Sequence, residues 1–375
     1  MVKLNFGVIE VFSKGLNWIT LPLLAYVTSL ELYGKISSYY SLVMILSVFY
    51  TFGQNRNILQ SKTDELDENT ALSVYVGFFL LILSVFFIGS FLEDKNLYLC
   101  VILAFFLSIY TNFSLKIRAN NNLKEFVFFK SYYGVRLLLL LLFLWIYPSF
   151  KTFIWIDVIL LLIFFGAKFK FIKPKNNFKY LINQTKKSLL MMCFSFSIIF
   201  IMGFDKIYLS KHIEYSVIGG YNLAFVFATG ITFLASYFAI IYERNIYISH
   251  ELTQARLRTN EFIKKTIFFS IISLPFVFFV YWIYSKFIMV DPCIKIFFII
   301  YFSQLIYFFC LGKSFLLIYR GEYRKLALLS IFSAGLNVLL NIFLVRDYSI
   351  LGSALSNLIS FLIMALFFIF WSEDK

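Results

Sequence analysis

The stretch KKTIFFSIISLPFVFFVYWIYSK, residues 264–286, runs twenty residues from Thr266 to Ser285 without a charge and is bounded by lysines at both ends. A helix needs roughly 20 apolar residues to cross the ~30 Å hydrocarbon core of a bilayer. It also satisfies its own backbone hydrogen bonds there, which an open sheet cannot do. The same pattern recurs along the whole chain. Residues of the apolar set make up 61% of the 375 residues, charged residues only 14%, and Phe alone occurs 50 times. A chain dissolved in water would leave much of that surface exposed, so the composition predicts an all-α polytopic membrane protein.

Breaks at charge clusters and at Gly, Pro and Asn punctuation divide the sequence into twelve expected transmembrane helices. Their limits are 6–29, 37–55, 70–92, 96–116, 125–147, 149–166, 188–209, 217–242, 264–286, 292–317, 325–345 and 350–371. The first is not a cleavable signal, because Glu10 and Lys14 interrupt it and a second span follows directly. Of the 34 Lys and Arg residues, 22 fall on the side of the chain termini, eight on the opposite side and four inside spans. The positive-inside rule then puts both termini in the cytoplasm. The net charge of +14 is explained by inner loops lying against anionic lipid headgroups and requires no nucleic acid partner. The breaks are too short to fold as separate domains. Cys100, Cys193, Cys293 and Cys310 show neither ligand spacing nor a disulfide framework.

The lysine-rich segment 168–187, with Pro174, reads as a basic cytoplasmic linker. It separates an N-terminal six-helix bundle, 1–167, from a C-terminal six-helix bundle, 188–375. Each half carries a short basic loop before its fifth span, Arg118 to Lys124 and Arg320 to Lys325. Two such halves in parallel orientation suit a transporter that rocks one bundle against the other around a central cavity.

Polar residues inside spans are costly and mark either packing contacts or a pathway. Glu10, Lys14 and Asn17 fall on one face of the first span, as an ion pair near the headgroups or as cavity lining. Asn222, Thr229, Thr232 and Ser236 form another stripe, readable as helix-packing glue or as cavity lining. Asp205 beside Lys206 is an interfacial pair, a gate or a coupling-ion ligand. Arg136 lies mid-span, open to phosphate binding or to pairing with Asp157. Lys313 is close enough to the inner surface to snorkel. Asn337 and Asn341 read as an interhelical hydrogen-bond site. Among these residues the intramembrane charge leans positive, which suits an anionic headgroup that Arg can grip with two hydrogen bonds.

The two histidines, His212 and His250, lie in loops, and there is no Walker A loop or Gly-rich nucleotide fingerprint. The acidic run Asp64–Glu68 reads as a solvated charge cluster rather than a metal site. These absences argue for transport rather than an enzyme, with no cofactor.

Several stretches together resemble a known family. They are Leu21-Pro22-Leu23-Leu24-Ala25-Tyr26 with Leu32-Tyr33-Gly34 and Phe52-Gly53-Gln54-Asn55-Arg56, then Phe204-Asp205-Lys206-Ile207-Tyr208-Leu209 with Gly219-Gly220-Tyr221-Asn222-Leu223-Ala224, and finally Tyr348-Ser349-Ile350-Leu351-Gly352-Ser353-Ala354-Leu355. In this order they resemble the Wzx-type polysaccharide flippases of the multidrug/oligosaccharidyl-lipid/polysaccharide exporter (MOP) superfamily. The resemblance implies two six-helix bundles facing a central cationic cavity in the bacterial inner membrane. It implies alternating-access translocation of undecaprenyl-pyrophosphate-linked oligosaccharide, as for O antigen, lipopolysaccharide or capsule, coupled to H⁺ or Na⁺. Polysaccharide polymerase and chain-length machinery are further candidate partners, besides membrane lipids. On this reading Lys14, Arg136 and Lys313 attract the pyrophosphate, while Asn17, Asn222, Thr229 and Ser236 line the sugar path. Glu10, Asp157 or Asp205 serves ion coupling or gating. The rival readings are a cation-coupled exporter of small molecules with the same fold, and a membrane polymerase or acyltransferase of polysaccharide assembly.

Overall fold

A computed structural model describes residues 2–60, 66–91, 95–166 and 178–372. Among them there are helices and connecting turns and no strand. The helices are α1 (Val2–Val27), α2 (Leu30–Thr51), α3 (Gln54–Gln60), α4 (Leu66–Phe91), α5 (Lys95–Ala119), α6 (Leu123–Lys130) and α7 (Tyr132–Ile146). They continue as α8 (Phe150–Gly166), α9 (Phe178–Leu209), α10 (Tyr215–Thr229), α11 (Thr232–Tyr247), α12 (Leu252–Phe287), α13 (Ile294–Tyr319) and α14 (Tyr323–Ser372). Ten helical segments among the described residues are long and apolar enough to cross a membrane. The α8 helix is one residue short of that length, at 17 residues, and α14 is two limbs joined at the non-helical Ser349. Counting α8, and each limb of α14 as a span, recovers the twelve crossings that the sequence predicts, and the chain is a multi-pass membrane protein. Of the expected linker at 168–187, residues 168–177 lie outside the described residues, and α9 already begins at Phe178. Asp64 and Glu65 of the acidic run also lie outside them.

Several boundaries move for identifiable reasons. Helix α2 starts seven residues before its apolar stretch, because Ser29 caps it: the Leu32 backbone N–H donates to Ser29 Oγ at 3.1 Å. Glu31 in its first turn complements the helix dipole. The fifth and eighth spans are each broken into two helices, at Ser131 between α6 and α7 and at Gly230-Ile231 between α10 and α11. Helix α12 starts twelve residues before its apolar stretch and runs for 36 residues, or roughly 54 Å.

The two basic loops close with the same backbone geometry. In the first, Asn121 N–H bonds Arg118 O at 3.1 Å and Asn122 N–H reaches Ile117 O at 3.2 Å; in the second, Gly321 N–H bonds Ile318 O at 3.1 Å and Glu322 N–H reaches Leu317 O at 2.9 Å. Both are left-handed helix terminations of the Schellman type, with φ of 55° at Asn121 and 75° at Gly321.

The first two helices pack on the second half of the chain: α1 lies against α11, and α2 lies against α9 and α10. Two close backbone crossings make this possible. A Cβ on Gly34 would lie 1.9 Å from Tyr215 O, and one on Gly219 would lie 2.4 Å from Leu30 O. At the opposite end of α2, Gly53 (φ 67°) lies so close to α9 that a Cβ would be 2.2 Å from Ser188 O. No other residue type fits these positions without moving a helix.

Candidate functional site

The faces that α1, α2, α9 and α10 turn toward one another are built on one spacing. Lys14, Asn17, Trp18 and Leu21 of α1 stand at i, i+3, i+4 and i+7, as do Ser37, Tyr40, Ser41 and Met44 of α2. Ile199, Met202, Gly203 and Lys206 of α9 and Asn222, Phe225, Val226 and Thr229 of α10 repeat it. That spacing is a single helical stripe. With Thr232, Ser236 and Glu243 of α11 and with Tyr307, Leu311 and Phe315 of α13, these stripes enclose a cavity of about 560 Å³. It lies within the size range of ligand sites.

Lys14 is the exposed charge of the site. Its ammonium donates to Ser236 Oγ at 2.5 Å and lies 3.5 Å from Glu10, and its side chain is 41% exposed. Glu10 itself is engaged more closely by Lys130, at 2.8 Å. Two lysines therefore share one carboxylate, which leaves surplus positive charge at the cavity wall. The stripe of α1 and the stripe of span 8 meet at this lysine.

Arg136 and Lys313 do not line the cavity. The Arg136 guanidinium is 1% exposed. It grips Asp157 with two hydrogen bonds, Nε to Oδ1 at 2.6 Å and Nη2 to Oδ2 at 2.8 Å, and its Nη1 donates to Asn17 Oδ1 at 2.6 Å. The rings of Tyr40 and Phe153 each lie 5.5 Å from its centre. Of the two partners that the sequence leaves open for Arg136, the structure supplies Asp157. Lys313 lies over the Phe309 ring at 5.6 Å. The carboxylates Glu10, Asp157 and Asp205 stand behind the cavity wall rather than in it.

Asp205 is fully buried. It accepts hydrogen bonds from the Tyr221 hydroxyl, from Asn357 Nδ2 at 3.0 Å and from the Lys206 backbone N–H at 2.7 Å. The network continues through both limbs of α14: Asn337 donates to Asn357 at 3.0 Å, Asn341 to Asn337 at 3.1 Å, and Ser353 to Asn341 at 2.8 Å. Lys206 turns the other way. Its ammonium lies 3.5 Å from Asp205, donates to Met202 O at 3.0 Å and stands 3.4 Å from the centre of the Phe225 ring. Asn222 donates to the Tyr33 hydroxyl at 2.7 Å, across the crossing of α2 and α10. Thr229 Oγ1 donates to backbone carbonyls of its own helix, at 2.9 Å to Phe225 O.

Sequence reasoning missed Glu243, Trp18 and Tyr40 as cavity residues and treated Lys206 only as a partner of Asp205. Glu243 was within reach, because it lies two turns beyond Ser236 on the same stripe. Trp18 and Tyr40 gave no signal among so many apolar aromatics.

No family model and no curated protein matches the chain. Solved structures do match its fold. The lipid II flippase MurJ in an inward closed conformation superposes with a TM-score of 0.67 at 16% identity, over 98% of this chain and 87% of that one. A MOP superfamily transporter from Pyrococcus furiosus, described as having a binding pocket of reversed polarity, gives 0.63 at 10% identity, over 99% and 94% of the two chains. An outward-facing multidrug resistance MATE family transporter of the MOP superfamily gives 0.62, also at 10% identity and over 99% and 94%. The chain has the polytopic helical fold of MOP superfamily transporters.

Proposed function

We propose that the protein is a flippase for lipid-linked oligosaccharides in a bacterial inner membrane. It carries an undecaprenyl-pyrophosphate-linked repeat unit from the cytoplasmic to the periplasmic leaflet by alternating access. The observation that carries this reading is Lys14. It is a half-exposed ammonium at the wall of a central cavity, held by Ser236 and only partly offset by a carboxylate shared with Lys130. A charge at membrane depth is retained where it has work to do, and an ammonium whose counter-ion is shared with a second lysine attracts a phosphate group. Hydroxyl and carboxamide groups of Asn17, Asn222 and Ser236 supply the neutral hydrogen-bonding surface that a sugar needs. The shared fold with a lipid II flippase supports the same assignment. For coupling to H⁺ or Na⁺ the favoured carboxylate is Asp205, because its nearest ammonium, Lys206, stands 3.5 Å away and neutral donors of Tyr221 and Asn357 meet its other oxygen, whereas Asp157 is committed to Arg136 and Glu10 to two lysines.

The test is complementation in a bacterium that lacks its own repeat-unit flippase and makes the matching lipid-linked glycan. Wild-type protein restores surface polysaccharide, and Lys14→Gln lowers it at least tenfold with the protein still inserted. Undiminished polysaccharide in Lys14→Gln removes the cationic site from the mechanism. One observation favours a second reading: Glu243 lines the same cavity and could hold an organic cation, as a drug exporter requires. In that case Glu243→Gln, not Lys14→Gln, abolishes transport, and the substrate is a cationic dye rather than a glycan lipid.

A further inference from the structure

We propose that Arg136 is a positioning residue that fixes which end of the Asn17 carboxamide faces the cavity, so that Asn17 Nδ2 and Lys14 Nζ form a paired donor site for a phosphate or diphosphate ester. The inference rests on the anionic-headgroup reading above and adds a specific recognition element to it.

A guanidinium carries five N–H donors and no acceptor, whereas a carboxamide has an acceptor at one end and two donors at the other. Arg136 donates to Asn17 through Nη1 at 2.6 Å, so the group that meets it must be Oδ1. The guanidinium cannot turn aside, because Asp157 holds two of its nitrogens and the rings of Tyr40 and Phe153 flank it. With Oδ1 committed, the Asn17 amino group points away from Arg136, and among the described residues no protein acceptor meets it. Asn17 lines the cavity one helical turn from Lys14. The wall therefore presents an ammonium and a neutral N–H₂ side by side, which matches the several oxygens of a phosphate group. Without Arg136 the carboxamide could rotate and present its oxygen, which would repel the same ligand.

Calorimetric titration of the full chain in detergent tests this, with farnesyl pyrophosphate as the probe and inorganic pyrophosphate run alongside. Binding of the former alone marks a lipid headgroup site, and equal binding of both marks a site for the free anion; the donor pair serves either. Asn17→Asp keeps the acceptor that Arg136 needs but removes the donor. It is expected to weaken binding more than tenfold without lowering the melting temperature. The double variant R136Q/D157N removes both buried charges together and meets Asn17 with a carboxamide that accepts as well as donates, so the orientation is no longer fixed and a severalfold loss is expected. Arg136→Lys, which is again donor-only, should retain most of the affinity, a rescue that a purely structural role would not produce. Wild-type affinity in both Asn17→Asp and R136Q/D157N, with Lys14→Gln inactive, overturns the inference and leaves the anionic reading standing. No binding of either probe to the wild type overturns the anionic reading, and the inference falls with it.

Discussion

Asp157 is 1% exposed and its carboxylate is the counter-ion of an equally buried guanidinium. Removing one partner of such a pair strands the other charge, at a cost of about 3–5 kcal/mol. Asp157→Asn is therefore expected to lower the melting temperature of the purified protein sharply, and R136Q/D157N to lower it much less. Equal losses in the single and double variants would show that the pair contributes packing rather than charge compensation. At this scale the sequence was partly legible. Helical spacing alone places Lys14 and Asn17 on one face of α1, and Ser236 follows Asn222, Thr229 and Thr232 on one stripe. Arg136 was not decidable, because Asp157 lies 21 positions away, and no local pattern says whether two helices turn their charges toward each other or toward a ligand. Asn357 and Ser353 were invisible for the same reason: single polar residues in an apolar helix acquire meaning only from what faces them.

The eighth span shows what hydropathy hides in a whole element. Read as one helix over 217–242, it is broken at Gly230-Ile231, where hydrogen bonds shorten to three-residue steps: Gly230 N to Phe227 O at 3.1 Å and Phe233 N to Gly230 O at 3.2 Å. Gly230 stands there between Thr229 and Thr232, but the residues on either side are so apolar that the hydropathy of the span runs through the break. The Trp18 indole occupies the break, with Nε1 donating to Val226 O at 2.7 Å, and a Cβ on Gly230 would stand 2.8 Å from that nitrogen. Gly230→Ala is expected to destabilise by about 1–3 kcal/mol through overpacking, and Trp18→Phe by about 1 kcal/mol through the lost hydrogen bond. Because a phenyl ring vacates the space that the new methyl needs, the double variant should lose less than the sum. Strict additivity in thermal denaturation would separate the two residues. The early start of α12 had a different cause. Its first turns carry Thr253, Gln254 and Arg256, polar and exposed, and a reading built on apolar length stops at the headgroups although the helix does not.

For the molecule as a whole, the order of the spans, their number and the presence of two basic loops were legible, since each follows from charge and apolar length. The pairing of α1 and α2 with the second half was not, because it depends on the close approaches at Gly34, Gly53 and Gly219. Contacts bridge the two halves at both ends of the cavity. At the end nearer the chain termini, Gln54 and Asn57 both donate to Ser188 Oγ, at 2.9 and 2.6 Å. At the other end the backbones of α2 and α10 touch. Alternating access requires one set of contacts to part while the other holds. In a background without the four native cysteines, N57C/S188C should cross-link on oxidation, stop transport, and recover it on reduction. Full transport by the oxidised protein would mean that this end does not open. The bond between Lys14 and Ser236 joins residues 222 positions apart, which has a consequence for biogenesis. At about 5–20 residues per second of synthesis, Lys14 waits on the order of 10 to 40 s before Ser236 exists to meet it, whereas Asn17 gains Arg136 after 119 positions. During that interval the ammonium faces lipid or the lining of the insertion machinery. The newborn chain is therefore a client for whatever shelters half-made membrane proteins, and its yield in a cell depends on that shelter as much as on the stability of the finished fold.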